Sequence, residues 1–107
     1  MITVTYYRKL HRVTIKGHAK ADEKGKDLIC AAASVLSYTL AADAMELRDR
    51  GATRHIVTKL DEGDAEISVV PKSRYASVTE LVLSSVCVGF ELLANQHPNN
   101  ITFHEVL

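Results

Sequence analysis

Residues 17–34 constrain the fold most, because within them the chain must pass from a strand to a helix at a defined place. An alternating strand ends at His18, and the polar, glycine-containing residues 19–26 predict a loop. Asp27 is a good helix N-cap, so we expect a helix to begin there, with Cys30 in its first turn. The segment therefore predicts a histidine and a cysteine that approach each other from a strand and a helix.

The predicted helix runs to about Arg50 and has two distinct faces. One stripe is apolar and forms the expected core face: Ile29, Ala33, Leu36, Leu40 and Leu47. Asp27, Cys30 and Ser34 fall together on another face, at spacings of three and four residues. A cysteine that only fills core space is expected on the leucine stripe, whereas Cys30 lies off it. We interpret Cys30 as a candidate nucleophile, the alternative being an ordinary buried thiol.

Thiol chemistry suits this arrangement. A helix N-terminus has unpaired N–H groups and a partial positive charge, which stabilise a thiolate. His18 would act as the base or the cationic partner of Cys30. Asp27 has two compatible roles, as helix cap and as the carboxylate that orients His18. Ser34 is expected to form a hydrogen bond near the thiolate or to leave room for a substrate.

The remaining patterns predict an α+β domain that spans residues 1–107. Strands are expected at 2–8, 11–18, 53–60, 65–70 and 101–107, with a turn at 61–64 and a capping box at Ser77-Val78-Thr79-Glu80 that opens a second helix. The order is ββαββαβ, which favours one mixed sheet with two helices packed on it. The second helix is apolar nearly all round, so it must be covered inside the domain or by another chain. We therefore expect a homodimer, with this helix or the small-residue face of the first helix at the interface.

Composition excludes several classes of function. Thirteen basic and thirteen acidic residues cancel, which gives no basis for broad binding to nucleic acid. The histidines are isolated and no close ligand pair or phosphate-binding loop occurs, so we predict neither a metal nor another cofactor. No uninterrupted apolar run approaches the ~20 residues that span a bilayer, and no secretory signal is recognisable. Two cysteines without such a signal predict free thiols and a cytoplasmic protein.

One stretch also resembles a known family. Gly17-His18-Ala19, a glycine-containing polar loop, and then Asp27-Leu28-Ile29-Cys30-Ala31-Ala32-Ala33-Ser34 are similar to the signature of the ribosomal-processing cysteine proteases, the Prp or YsxB-like family. The resemblance implies that His18 and Cys30 are catalytic and that Gly17, Asp27 and Ser34 support them. It also implies a cysteine endopeptidase and a homodimer.

The substrate that the resemblance implies is a ribosomal protein precursor. The family removes a short N-terminal extension from bacterial large-subunit ribosomal protein number twenty-seven, after paired aromatic residues. Loop 19–26 lies between the base and the nucleophile, and we expect it to gate the site with little net charge. The alternatives are a non-catalytic ribosome-assembly or binding module of the same fold and, less favoured for want of a nearby resolving cysteine, thiol redox chemistry.

Overall fold

Five strands form a single mixed sheet, and two helices pack on it. The strands are β1 (Ile2–Tyr7), β2 (Arg12–Gly17), β3 (Thr53–Asp61), β4 (Asp64–Pro71) and β5 (Ile101–Val106), and the helices are α1 (Lys26–Asp49) and α2 (Ala76–Gln96). The computed structural model describes residues 1–18 and 26–107, apart from the side chains of Lys26 and Asp27. The predicted order ββαββαβ and the mixed sheet are confirmed.

The strand order across the sheet is β3-β4-β2-β1-β5. β1 runs parallel to β5, and the other neighbouring strands are antiparallel. Alternation in β1 buries Ile2, Val4 and Tyr6, as its sequence predicts. These side chains share one core cluster with residues of both helices, so α1 and α2 cover the same face of the sheet. The candidate site lies at the end of β2.

The apolar stripe of α1 meets the sheet as predicted. Ile29, Ala33, Leu40 and Leu47 are buried, and Leu36 is half-buried against the core. A side chain that is fully removed from water, such as Leu40, contributes about 1.5–3 kcal/mol of hydrophobic free energy. This face therefore fixes the rotation of α1 about its axis.

Both helices begin earlier than predicted. α1 begins at Lys26, so Asp27 lies within its first turn instead of capping it, and Cys30 is the fifth residue of the helix. α2 begins at Ala76, directly after a 3-10 turn at residues 73–75, and no side chain caps it. The predicted capping box at Ser77 is therefore wrong, because the preceding turn already leads the chain into helical geometry.

The β3–β4 hairpin is tighter than predicted. Its strands extend to a paired Asp61 and Asp64, which leaves Glu62 and Gly63 as the turn instead of residues 61–64. Gly63 has φ +69°, a conformation that glycine adopts without strain. The two extra paired residues carry the hairpin tip out towards the end of β2.

Two helical segments, Leu28–Asp49 and Ser73–Gln96, are long and apolar enough by length and composition to cross a bilayer. The expectation from uninterrupted apolar runs did not detect them, because scattered polar residues interrupt both segments. Core helices pass the same test, and here each helix contributes buried side chains to the common core. Membrane insertion therefore does not follow from their hydropathy.

Candidate active site

The end of β2 is shaped by Gly17. Its φ is +95°, and a side chain there would overlap the carbonyl oxygen of Met1. Only glycine fits such a position comfortably, because other residues rarely adopt this conformation. The N–H of Gly17 donates to the carbonyl oxygen of Gly63 at 2.9 Å, and the main-chain nitrogen of Met1 donates to the carbonyl oxygen of His18 at 2.6 Å. Backbone contacts thus hold the chain on both sides of the strand end, and His18 leaves the strand there with an exposed side chain.

A cleft of about 360 Å³ opens beside this strand end. Three parts of the chain line it: the sheet and strand end with Ile2, Ile15, Gly17, His18 and Ala65; one face of α1 with Cys30, Ala33, Ser34, Ser37 and Tyr38; and the β3–β4 hairpin with Leu60, Asp61, Glu62, Gly63 and Asp64. The predicted residues Gly17, His18, Cys30 and Ser34 are therefore brought to one cavity.

Cys30 lies on α1 at the boundary between core and cleft. It is half-buried and packs against the core cluster, while its neighbour Ile29 is fully within it. Ser34, one turn further along, is exposed, and Ser37 is buried with its hydroxyl donating to the carbonyl oxygen of Ala33 at 2.8 Å. Small side chains thus surround the cysteine on the cleft side and leave space for a peptide.

The predicted roles of Asp27 and of loop 19–26 stay predictions. The backbone of Asp27 belongs to the first turn of α1, where a carboxylate interacts favourably with the helix dipole. Its side chain, and with it the role of orienting His18, lies outside the described groups. The same holds for residues 19–25, and hence for the predicted gate.

Sequence reasoning missed the β3–β4 hairpin as part of the site. Lys16 and Lys59 both pair with Asp64, with Lys59 Nζ at 2.6 Å from Asp64 Oδ2. Hydrogen bonds from Lys16 and then Lys59 lower the pKa of Asp64 to about 2. These pairs join β2 to the hairpin across the sheet. Asp61 and Glu62 are exposed at the cleft mouth.

Comparison with known proteins identifies the family. The family model described as cysteine protease Prp matches residues 1–102. The ribosomal processing cysteine protease Prp of Mycoplasma genitalium is 30% identical over 94 residues, which cover 84% of this chain and 83% of that protein. This chain belongs to the Prp family of cysteine proteases. The assignment favours the protease over the binding-module and redox alternatives.

Solved structures confirm the fold. SMU.848 from Streptococcus mutans matches with a TM-score of 0.69 at 24% identity, over 98% of this chain and 91% of that one. The ribosomal processing protease Prp from S. aureus, in complex with a covalently linked product peptide, matches with a TM-score of 0.73 at 23% identity, over 98% and 99% of the two chains. The two-layer arrangement of the Prp fold is thus shared over nearly the whole chain.

Among residues 1–18 and 26–107, no group of three metal-ligating side chains converges, so the described part of the chain offers no metal centre. The second cysteine, Cys87, is buried in α2 at 3% exposure. Burial, with a smaller effect of Glu105, raises the pKa of the Cys87 thiol to about 12. Cys87 therefore stays protonated at neutral pH and has the properties of an inert core thiol.

The two thiols are expected to differ strongly in reactivity. Brief treatment of the native protein with iodoacetamide at neutral pH should label Cys30, which borders the cleft, and leave Cys87 unlabelled. Peptide mapping by mass spectrometry measures the ratio, and labelling in denaturant gives the control in which both react. Preferential labelling of Cys87 in the native protein would contradict the assignment.

Proposed function

We propose that this protein removes a short N-terminal extension from the precursor of bacterial large-subunit ribosomal protein number twenty-seven, with Cys30 as nucleophile and His18 as base. The observation that carries the proposal is the placement of His18 and Cys30 in one cleft, although they come from a strand end and a helix. Relatives named as ribosomal processing proteases, including an S. aureus Prp in complex with a substrate peptide, support the substrate class.

The mechanism needs His18 to accept and return a proton twice, once as the acyl-enzyme forms and once as water hydrolyses it. The imidazole accepts the thiol proton of Cys30 as the sulfur attacks the scissile carbonyl carbon. N–H groups at the start of α1 stabilise the oxyanion of the tetrahedral intermediate. His18 then protonates the leaving amine as the C–N bond breaks, and a thioester remains on Cys30. Water, deprotonated by His18, hydrolyses the thioester and restores the thiol.

The cleft also has an apolar wall that suits an aromatic side chain. Leu60 of the hairpin and Tyr38 of α1 line the cleft with exposed side chains, and the buried residues Ile2, Ile15 and Ala33 line it as well. The charged residues that line the hairpin side are acidic, Asp61, Glu62 and Asp64, but Lys16 and Lys59 pair with Asp64 and Lys59 also approaches Asp61, which offsets much of that charge. Specificity should therefore rest on apolar contacts more than on charge.

We place this activity in the cytoplasm. The proposed mechanism needs Cys30 as a thiol, which is the state that a reducing compartment maintains. The substrate class supports the same location, since ribosomal proteins join the ribosome there.

Replacing either candidate catalytic residue should stop cleavage without loss of the fold. Cys30→Ala removes the nucleophile and should abolish turnover, and His18→Ala should lower kcat by about 100-fold or more. The test uses a peptide that carries the N-terminal extension, with fragments quantified by mass spectrometry. Because His18 is exposed, its variant should melt within a few degrees of the wild type.

Cys87→Ser provides the matched control, since it alters the other thiol and should keep the cleavage rate if the protein stays folded. Turnover by His18→Ala at the wild-type rate would remove His18 from the mechanism. Intact peptide in every sample, the wild type included, would refute the proposed substrate.

The apolar wall predicts how substrate changes act. Replacing an aromatic residue before the cleavage point with Ala should lower kcat/KM about tenfold or more, because a buried phenyl ring contributes at least about 1.5 kcal/mol. Raising the salt concentration should change kcat/KM only slightly. A steep salt dependence together with indifference to the aromatic residues would overturn this account.

We also propose that the protein is a homodimer joined through its helical layer. The outer surface of α2 exposes the large apolar side chains Val78, Leu81, Val88 and Leu92. Between the helices runs an apolar groove lined by Ala32, Val35, Leu36, Gly89, Leu92, Leu93 and Gln96. Contiguous apolar surface of this kind is uncommon in monomers, and a second copy would cover it.

Light scattering at micromolar concentration should give twice the chain mass of 11.8 kDa. Leu92→Glu, which puts a charge on the groove, should shift the protein to monomer. Leu10→Glu is the control, because Leu10 is equally exposed but lies at the β1–β2 turn, outside the groove. A wild-type monomer, or a dimer that tolerates Leu92→Glu, would contradict the proposed interface.

A further inference from the structure

Gly63 at the tip of the β3–β4 hairpin lies directly against the imidazole ring of His18. A Cβ atom added to Gly63 would lie 2.6 Å from His18 Cε1 and closer still to Nε2, well inside van der Waals contact. The imidazole ring therefore packs against the backbone of the hairpin. The two are so close that only glycine fits at position 63 without a collision.

The same glycine also holds the backbone that carries His18. Its carbonyl oxygen accepts the N–H of Gly17 at 2.9 Å, and Gly17 directly precedes His18. The ion pairs of Lys16 and Lys59 with Asp64 brace the hairpin beside this hydrogen bond. Gly63 thus contacts both the ring and the strand end from which the ring projects.

This contact matters because the side chain of His18 is exposed. An exposed imidazole can occupy several rotamers, while a general base must direct one ring nitrogen at the nucleophile. The hairpin backbone in contact with the ring excludes some of those rotamers. The positive φ is not the only reason that position 63 requires glycine. A Cβ atom there would also collide with the imidazole, whatever the backbone strain.

We propose that Gly63 is a positioning residue for His18. The Cα of Gly63, which has no side chain, contacts the imidazole, and its carbonyl group holds the end of β2. The proposal rests on the proposed function, in which His18 is the base. Gly63 takes no part in the chemical step and acts through the orientation of the ring.

The chain contains a matched control for this idea. Gly51 has φ +77°, close to the +69° of Gly63, but a Cβ there would meet nothing within 4 Å. Asn is among the residues that tolerate positive φ best, so Gly63→Asn and Gly51→Asn impose similar backbone strain. Only Gly63→Asn puts a side chain where the imidazole lies.

Steady-state cleavage and NMR of the histidine rings separate the two variants. Gly63→Asn should lower kcat by about tenfold to 100-fold with KM nearly unchanged, whereas Gly51→Asn should keep both constants. The ring resonances of His18, assigned by their loss in His18→Ala, should shift in Gly63→Asn and not in Gly51→Asn. Wild-type kcat in Gly63→Asn, with or without a shift of those resonances, would overturn the positioning role.

Thermal unfolding provides a readout that does not depend on catalysis. Any loss of Tm in Gly63→Asn beyond that in Gly51→Asn should disappear in the His18→Ala background, since removing the ring removes the collision. An excess loss that persists without the imidazole would overturn the proposal. Cleavage at the wild-type rate by His18→Ala would instead refute the proposed function, so the two failures are distinguishable.

Discussion

The packing of the α1 apolar stripe against the sheet is the constraint on which the site depends. Ile29, Ala33 and Leu40 are all buried, so turning the helix by one residue position, about 100°, would take Leu40 out of the core. Truncating such a buried leucine costs about 2–5 kcal/mol, and exposing it would have a penalty of similar order. Cys30 follows Ile29 directly and is therefore held at the edge of the core, with its other side on the cleft.

The imidazole is placed by a different principle. Among the described residues, backbone contacts at a strand end hold the part of the chain that carries His18. Gly17 lets the strand end approach the carbonyl oxygen of Met1, and Gly63 lets the hairpin approach the imidazole ring of His18, more closely than a side chain at either position would allow. The nucleophile is thus fixed by apolar packing, and the proposed base by backbone proximity.

Local patterns predicted most of the fold and half of the cleft. The alternation of β1 and the stripe of α1 depend on residues close in sequence, and the structure has them as expected; His18 and Cys30 line one cleft. Both helix starts were placed one residue or so too late; for α2 the reason is that the preceding 3-10 turn has no strong sequence signal. The hairpin wall escaped prediction, since Gly63 indicates only a turn until the pairing of β2 with β4 is known.

The central position of β2 has a consequence for how the enzyme matures. β2 pairs with β1 on one side and with β4 on the other. α1 and β3 both lie between β2 and β4 in the sequence. Pairings between strands so far apart in sequence form slowly, because a long loop must close first. The cleft lacks its hairpin wall until β4 is in place, so a partly folded chain carries the thiol and the imidazole beside an incomplete cleft. Completion of the peptide-binding cleft is thereby tied to completion of the sheet.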